Sequence, residues 1–480
     1  MGRIGQFLVF VVLLAGEVGL GAGESTAVVA QSRPNVLLIC VDDLKPLLGC
    51  YGDSLAKTPN LDRLAAGGVR FERAYCNQAV CAPSRNALLT GLRPQTLGIY
   101  DLGTNFRVGR PEAITLGQHF RAQGYYAESL GKIFHVGHGN GDDARSWDVE
   151  SWKAKVSQYA VAEHGSTGTE TKGVAYESAD VPDNQYADGQ TADEAIVRLR
   201  AARERGTPFF LAVGFLKPHL PFVAPQKYWD LYQRDELPVL DGRRPEGAVE
   251  AAFHESTEVL GPVAQQKVPS AAQAAEMRHG YFANISYLDA QVGKVLGALE
   301  SSGLADRTIV VFLSDHGYQV GEHGLWGKTS NFEYDARVPL LIRSPVQQSG
   351  PGETSSLVEL IDVFPTLAEL CGLPQPAGLE GVSLVPVLRD GGMRVKAAAR
   401  TQHPRPAYYD RTPAGEPQLM GYSVRTESAR YTEWRDWKTG VVQGRELYLE
   451  SDEPGELRNV VGDAAAADVL RECERLLRQD

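Results

Sequence analysis

Apolar positions along the chain fall into two alternating patterns. Short runs rich in Val, Ile, Leu and Phe occur at "NVLLICV" (35 to 41), "YYAESL" (125 to 130), "PFFLAVGF" (208 to 215), "TIVVFLS" (308 to 314) and "VPLLIRS" (338 to 344). These read as strands. Between them, amphipathic stretches predict helices over 59–67, 84–90, 114–123, 191–205 and 276–302, several closed by a glycine such as Gly91, Gly124, Gly206 or Gly303. Strands joined by crossover helices predict an α/β fold: a large mixed, mostly parallel sheet flanked by helices.

The pattern changes near "GLPQPAGLEGVS" (372 to 383), where turn-forming glycines and prolines gather. Beyond it, "AYYDR", "YSVRTE", "YTEWRDW" and "ELYLE" predict short antiparallel strands, followed by a helix from about Ala464. The expectation is a large domain over 31–376 and a smaller antiparallel sheet plus helix over 377–480. Residues 223–273 are rich in Pro, Glu and Gln with weak periodicity, and read as a long excursion over the surface. No internal repeat or low-complexity tract stands out.

At the start, Met1-Gly2-Arg3 precedes "FLVFVVLLAG" and small residues around "GLGAGESTAVVA", which reads as a signal peptide over 1–30. The apolar run is short for a membrane span and Glu17 interrupts it, so the expectation is an exported chain with no stable membrane insertion after cleavage. An uncleaved anchor is the alternative.

Composition narrows the partners. The 480 residues are 43% hydrophobic, enough for a large core, and 60 acidic residues outnumber 48 basic ones with no Lys/Arg block, which argues against nucleic acid. Export permits disulfides, yet Cys40, Cys50, Cys76, Cys81, Cys371 and Cys473 are too few for a disulfide scaffold.

Open parallel sheets bind ligands beyond the carboxyl ends of their strands. There the first strand ends in Asp42-Asp43, and "TIVVFLS" runs into Asp315-His316. "YYAESL" is followed by Gly131-Lys132 and His135, and "PFFLAVGF" by Lys217-Pro218-His219. Any one of these pairs reads as a solvated loop; four at one edge point to chemistry. Carboxylates side by side repel unless a cation lies between them, so Asp42, Asp43 and Asp315 predict one divalent ion with hard oxygen ligands, Ca2+ or Mg2+. His316 is a poor partner for a hard cation; it either touches the nucleophile or selects a softer metal.

Cys81 stands just before Pro83, which suits the first turn of a helix through "SRNALLTG", so the thiol lies where free N–H groups attract anions. Arg85 adds a forked cation matched to a tetrahedral oxyanion. A Cys76–Cys81 disulfide, a buried inert thiol and a thiolate nucleophile of the tyrosine-phosphatase kind are the competing readings. The last needs an arginine six positions on, where Ala87 stands.

The run Cys81-Ala82-Pro83-Ser84-Arg85 with Leu89-Thr90-Gly91 resembles the signature of the sulfatase family, C-x-P-S-R-x-x-x-[LM]-T-G, in the alkaline phosphatase superfamily. The segments "VLLICVDDLKPLLGCYGD", "GKIFHVGH", "KPHLPF", "LSDHGYQVGEHGLWGKTSNFEYDARVPLLIRSP" and "ELYLESDEPGELRNV" match the family in chain order. The "KPH" and "WGK" elements resemble its iduronate-2-sulfatase group.

The resemblance implies that Cys81 is oxidised to formylglycine by a formylglycine-generating or anaerobic sulfatase-maturating enzyme. A hydrate of that aldehyde attacks sulfur, beside a metal, Ca2+ ahead of Mg2+, held by Asp42, Asp43, Asp315, His316 and residue 81 itself. It implies further that Arg85, Lys132 and Lys328 hold the sulfate oxygens, that His219, with Lys328, protonates the leaving alcohol, and that His135 deprotonates the second hydroxyl so that sulfate is expelled. His138 competes with His135 for the last role. The implied substrate is a sulfated saccharide, an iduronate-2-sulfate-like uronic acid of a glycosaminoglycan or related polysaccharide, and the implied location is secreted or periplasmic, lysosomal in an animal. Relative to the animal lysosomal enzyme the C-terminal part is short and its paired cysteines are missing, which leaves the sugar open. Two alternatives remain: a phosphate or phosphonate ester hydrolase on the same scaffold, and a sulfated-glycan-binding relative with unmodified Cys81. Asn284-Ile285-Ser286 matches a glycosylation acceptor but falls on a predicted helix.

Overall fold

The structure is a computed structural model that describes residues 1–2, 33–165, 173–259, 269–345, 352–410, 416–451 and 455–479. The signal peptide expected at 1–30 lies, past Gly2, outside the described residues, and Arg33–Asp480 forms one compact unit. Among the described residues no helix is long and apolar enough to cross a membrane.

The main sheet is built from β1 (Asn35–Asp42), β2 (Val69–Tyr75), β3 (Tyr126–Gly131), β4 (Phe209–Pro218), β5 (Thr308–Ser314), β6 (Leu340–Arg343) and β7 (Glu353–Glu359), with Arg337–Val338 leading into β6. Its order is β7–β2–β6–β5–β1–β4–β3, and β6 with its leading stretch is the part that runs against its neighbours. Side chains of β1 alternate between two cores, Val36, Leu38 and Cys40 entering one and Leu37, Ile39 and Val41 the other. Helices α1 (Pro59–Ala66), α2 (Cys81–Thr90), α3 (Leu116–Ala122), α4 (Ala187–Arg205), α5 (Ala271–Ser301) and α6 (Val363–Leu370) cover both faces. Leu88, Phe120 and Phe364 fill one core; Leu64, Leu199 and Leu288 fill the other. Each such side chain contributes about 1.5–3 kcal/mol by leaving water, so the central strands are held from both faces and their ends are well-fixed places for chemistry.

The expected α/β architecture is the observed one, with five of its strands and five of its helices where the apolar pattern puts them. Strands β2 and β7 were not foreseen. Their sequences, "VRFERAY" and "ETSSLVE", carry charges because one side is partly solvated, and ion pairs stand in for apolar contacts: Arg70 with Glu72 within β2, and, across strands, Arg70 with Glu353 (2.6 Å) and Arg337 with Glu72 (3.4 Å).

A second sheet of four antiparallel strands in chain order, β8 (Ala399–Arg405), β9 (Leu419–Arg425), β10 (Ala429–Asp436) and β11 (Val442–Leu449), packs against helix α7 (Ala467–Leu477). Its first strand is 399–405, not "AYYDR", whose Tyr408–Asp410 is a tight turn. Residues 230–250 are mostly exposed, as expected of a surface excursion, but Tyr228 and Trp229 before them and Phe253 and Val259 after them are buried and anchor the segment, while 260–268 lie outside the described residues. Asn284 is buried inside α5, which closes it as a glycosylation acceptor. All six cysteines are free, which removes the Cys76–Cys81 disulfide.

Candidate active site

The ends of β1 and β5 set the floor of the site. Successive strand residues point to opposite faces, so two adjacent aspartates share a pocket only if the chain turns between them. It does: Asp43 adopts a left-handed conformation (φ 63°), held by Tyr281 Oη donating to the Asp43 carbonyl (2.7 Å) and by Leu44 N–H donating to Ser314 Oγ (3.0 Å). The pairing of Val41 with Ser314 brings Asp315 beside Asp42, where its Oδ1 accepts from the His316 N–H (2.9 Å). Lys132 follows Gly131, at φ 66°, and its N–H donates to the Gly214 carbonyl (3.0 Å). A Cβ on Gly214 would lie 2.1 Å from the Lys132 carbonyl oxygen, so glycine is required for β3 and β4 to close here.

Helix α2 supplies the other wall. Cys81 is its first residue, Val80 before it is extended, and Gly91 ends it with a left-handed turn whose N–H returns to Ala87 O (2.8 Å). Cys81 Sγ lies 3.4 Å from Asp42 Oδ1, 3.4 Å from His316 Nε2 and 3.6 Å from Lys132 Nζ. Ser84 Oγ donates to the Asp315 carbonyl, tying the helix to the end of β5.

Arg85 is engaged by protein groups on three sides. It is fully buried, and its guanidinium donates to Asp315 Oδ2 (2.7 Å), to the carbonyls of Lys132 and Ile133 (3.2 Å for the latter), and to Val41 O (3.1 Å). Four of its five N–H donors thus go to three strand ends, where Arg85 acts as a strut that fixes Asp315.

Two lysines and a histidine face the carboxylates. Lys132 pairs with Asp42, while Lys328 donates to both oxygens of Asp43 (3.0 and 3.2 Å) and to Glu258 Oε1 (2.8 Å). His219 Nδ1 is bonded to the Leu220 carbonyl (2.5 Å), which leaves Nε2 pointing at Glu258 Oε1 (3.4 Å) and Asp43 Oδ2 (3.8 Å). Burial works against ionising Asp42, but Lys132, His219 and Arg85 outweigh it and hold this carboxyl well below the usual range. Burial and the nearby Asp42 charge raise Asp315 to about 7 despite Arg85. Burial also opposes protonation of His316, yet Asp315 and Cys81 lift it to about 10.

The donor set fits a divalent cation. One side-chain atom each from Asp42, Cys81, Asp315 and His316 lie within 4.8 Å of one another, and a calcium–oxygen distance of about 2.4 Å puts opposite ligands about 4.8 Å apart. His316 Nδ1 faces the Gly317 carbonyl (2.9 Å), so Nε2 is the nitrogen free to coordinate. Asp43 stands at the edge of this cluster, its Oδ1 3.4 Å from His316 Nδ1, and groups instead with Cys81 and His219.

Of the expected residues, Asp42, Asp43, Cys81, Lys132, His219, Asp315, His316 and Lys328 converge. His135 is turned to His138, its Nε2 3.1 Å from His138 Nδ1, and burial together with Lys132 drives it down to about 3, which favours the neutral ring, the form that can accept a proton. Two residues escaped the sequence reading. Glu258 bridges Lys328 and His219, and Tyr409, 5.9 Å from ring centroid to Lys328 Nζ, lies in the turn read as a strand. Glu258 carries no motif; the segment's weak periodicity hid it.

Comparison with known proteins bears on the same residues. The family model described as Sulfatase matches residues 34–373, and one described as N-sulphoglucosamine sulphohydrolase, C-terminal, matches 321–480. The iduronate 2-sulfatase of Mus musculus is 35% identical, covering 92% of this chain and 93% of its own length. That of Homo sapiens is 33% identical and covers 98% of both. Among solved structures, the phosphonate monoester hydrolase of Agrobacterium radiobacter superposes with a TM-score of 0.75 at 25% identity, over 93% of this chain and 95% of that one.

Proposed function

This chain belongs to the sulfatase family, and we propose that it removes sulfate from a 2-O-sulfated uronic acid of a glycosaminoglycan or related polysaccharide, using a formylglycine made from Cys81 and one bound calcium ion. The observation that carries the reading is the meeting of Cys81 with Asp42, Asp315 and His316 inside 4.8 Å, ringed by Lys132, Lys328 and His219. The sugar is taken from the two iduronate 2-sulfatases that resemble the chain.

Sγ of Cys81 stands where the oxygens of the oxidised residue belong. The aldehyde hydrate supplies a nucleophile for sulfur and a second hydroxyl whose deprotonation expels sulfate and restores the carbonyl. A calcium ion would be held by Asp42, Asp315, His316 and residue 81, with Asp43 at the edge of the cluster, and would supply positive charge that acidifies the attacking hydroxyl and offsets the oxyanion. Lys132 and Lys328 reach the same space from two sides and neutralise sulfate oxygens as the ester bond lengthens. His219, with a carbonyl on Nδ1, presents Nε2 to the alcohol that departs, and gives it a proton. His138 is paired with His135, so the two rings relay the proton from the second hydroxyl as a unit. Arg85 holds the scaffold and stays out of the reaction.

Maturation by a formylglycine-generating or anaerobic sulfatase-maturating enzyme, a signal peptide over 1–30, a boundary near 376 and a secreted, periplasmic or lysosomal setting complete the reading. Purified, aldehyde-bearing protein is expected to release sulfate from a disaccharide ending in a 2-O-sulfated uronic acid, and to do so faster than from the 6-O-sulfated amino sugar. No sulfate from any sulfated disaccharide overturns the reading. The phosphonate hydrolase likeness favours one competitor: aryl phosphate or phosphonate turned over faster than aryl sulfate would assign the site to that chemistry.

A further inference from the structure

Glu258 sits where sequence motifs are silent, and its surroundings are built rather than incidental. Its Oε1 accepts from Lys328 Nζ (2.8 Å) and lies 3.4 Å from His219 Nε2, so one oxygen touches both groups assigned to the departing alcohol. The side chain is 11% exposed. Burial works against its charge, but Lys328 and His219 outweigh it and hold the carboxyl far below its ordinary range.

The backbone beneath Glu258 is pinned from two directions. Asp410, in the turn from the C-terminal part, accepts from the Glu255 N–H (2.8 Å) and from Thr257 Oγ1 (2.5 Å). Ser256 Oγ accepts from the Trp326 N–H (3.0 Å), two residues before Lys328. The segment that presents Glu258 is therefore fastened to the segment that presents Lys328.

We propose that Glu258 is a positioning residue that holds His219 and Lys328 on the leaving alcohol, an assignment that rests on the sulfatase reading above. Lysine has a long flexible stem, and an imidazole anchored at one nitrogen still swings about its ring axis. A second anchor on Oε1 removes both freedoms. The long contact to Nε2 leaves room for the ring to pass its proton to an oxygen as the sulfur–oxygen bond breaks, the electron pair of that bond staying on the alcohol oxygen and the proton completing the hydroxyl. Gln in place of glutamate would keep the space and lose the charge that gathers the two cations.

The need for a proton grows as the leaving alcohol becomes less acidic, which separates positioning from mere structure. Glu258→Gln and Glu258→Asp, each confirmed to carry the aldehyde, are compared with wild type on the sulfated disaccharide and on aryl sulfates of graded phenol acidity. Glu258→Gln is expected to lower kcat on the disaccharide by about 30- to 100-fold with KM within about twofold, and to steepen the dependence of kcat on leaving-group acidity. Glu258→Asp should recover part of the loss. In a His219→Ala background, Glu258→Gln should cost less than about threefold more, because the pair acts as a unit. A loss equal across all leaving groups, or one that multiplies with His219→Ala, overturns the assignment. Aldehyde-bearing wild type that releases sulfate from neither substrate overturns the sulfatase reading itself, and the assignment with it, whereas active wild type with an unchanged slope in Glu258→Gln overturns the assignment alone.

Discussion

Two residues beside the reacting position occupy backbone conformations that L side chains avoid. Asp43 (φ 63°) turns its carboxylate into the pocket, and Thr329 (φ 86°) follows Lys328, with its N–H held by Ala79 O (3.1 Å). Such strain costs about 1–3 kcal/mol at each position and persists where the surroundings over-determine it. Arg85 is part of that over-determination, and its role is testable. Lysine cannot reproduce a fork that bonds Asp315 and three carbonyls at once, so Arg85→Lys is expected to weaken calcium binding at least about tenfold, the scale seen when partners of metal ligands are removed. Isothermal titration of the aldehyde-bearing variant checks this; unchanged calcium affinity with a raised KM would return Arg85 to direct sulfate binding. The acidic and cationic residues of the site were legible because strand-end position and residue type coincide at Asp42, Asp315, Lys132 and His219. The role of Arg85 was not legible, since its partners are backbone carbonyls of distant strands, which leave no trace in residue type. Glu258 was hidden for the opposite reason, being one acid in a segment full of them.

Among the elements, the buried strands β1, β4 and β5 announce themselves through unbroken apolar runs, whereas β2 and β7 are charged and depend on neighbours for cancellation. The same device joins the two sheets. Glu333, in the short helix Glu333–Ala336, accepts from Arg425 (3.3 Å) and Arg430 (2.5 Å), and Arg430 pairs with Glu456 (2.6 Å). Burial opposes the Glu333 charge, but Arg425, Arg430 and Arg337 outweigh it and lower the group from 4.5 to about 2. A carboxyl depressed in the folded state stabilises above its unfolded pKa and loses that contribution as pH falls through the folded value. The contribution is at most roughly 3 kcal/mol, fully present above pH of about 4.5 and gone near 2. Wild type should therefore unfold at higher temperature than Glu333→Gln at neutral pH, with the gap closing between pH 4.5 and 2 in paired thermal scans. A gap that does not change with pH would deny the arginine cluster its electrostatic role.

For the molecule as a whole, the proposed calcium ion, held by the cluster of buried carboxylates, would make stability and activity depend on one ion. Chelation should abolish sulfate release and lower the unfolding temperature, and calcium should restore both ahead of magnesium. At calcium a hundredfold above Kd the stabilisation is about 3 kcal/mol; a melting curve indifferent to chelator would remove the metal from the account. The turn Tyr408–Asp410 shows why the C-terminal part matters to chemistry as well as to folding, since Asp410 braces the segment that carries Glu258. Everything in this arrangement surrounds the side chain of residue 81. Mass spectrometry of the peptide containing Cys81, from protein made in its own host and active in sulfate release, should find sulfur replaced by an aldehyde oxygen in the active fraction. An intact thiol in fully active protein would contradict the account.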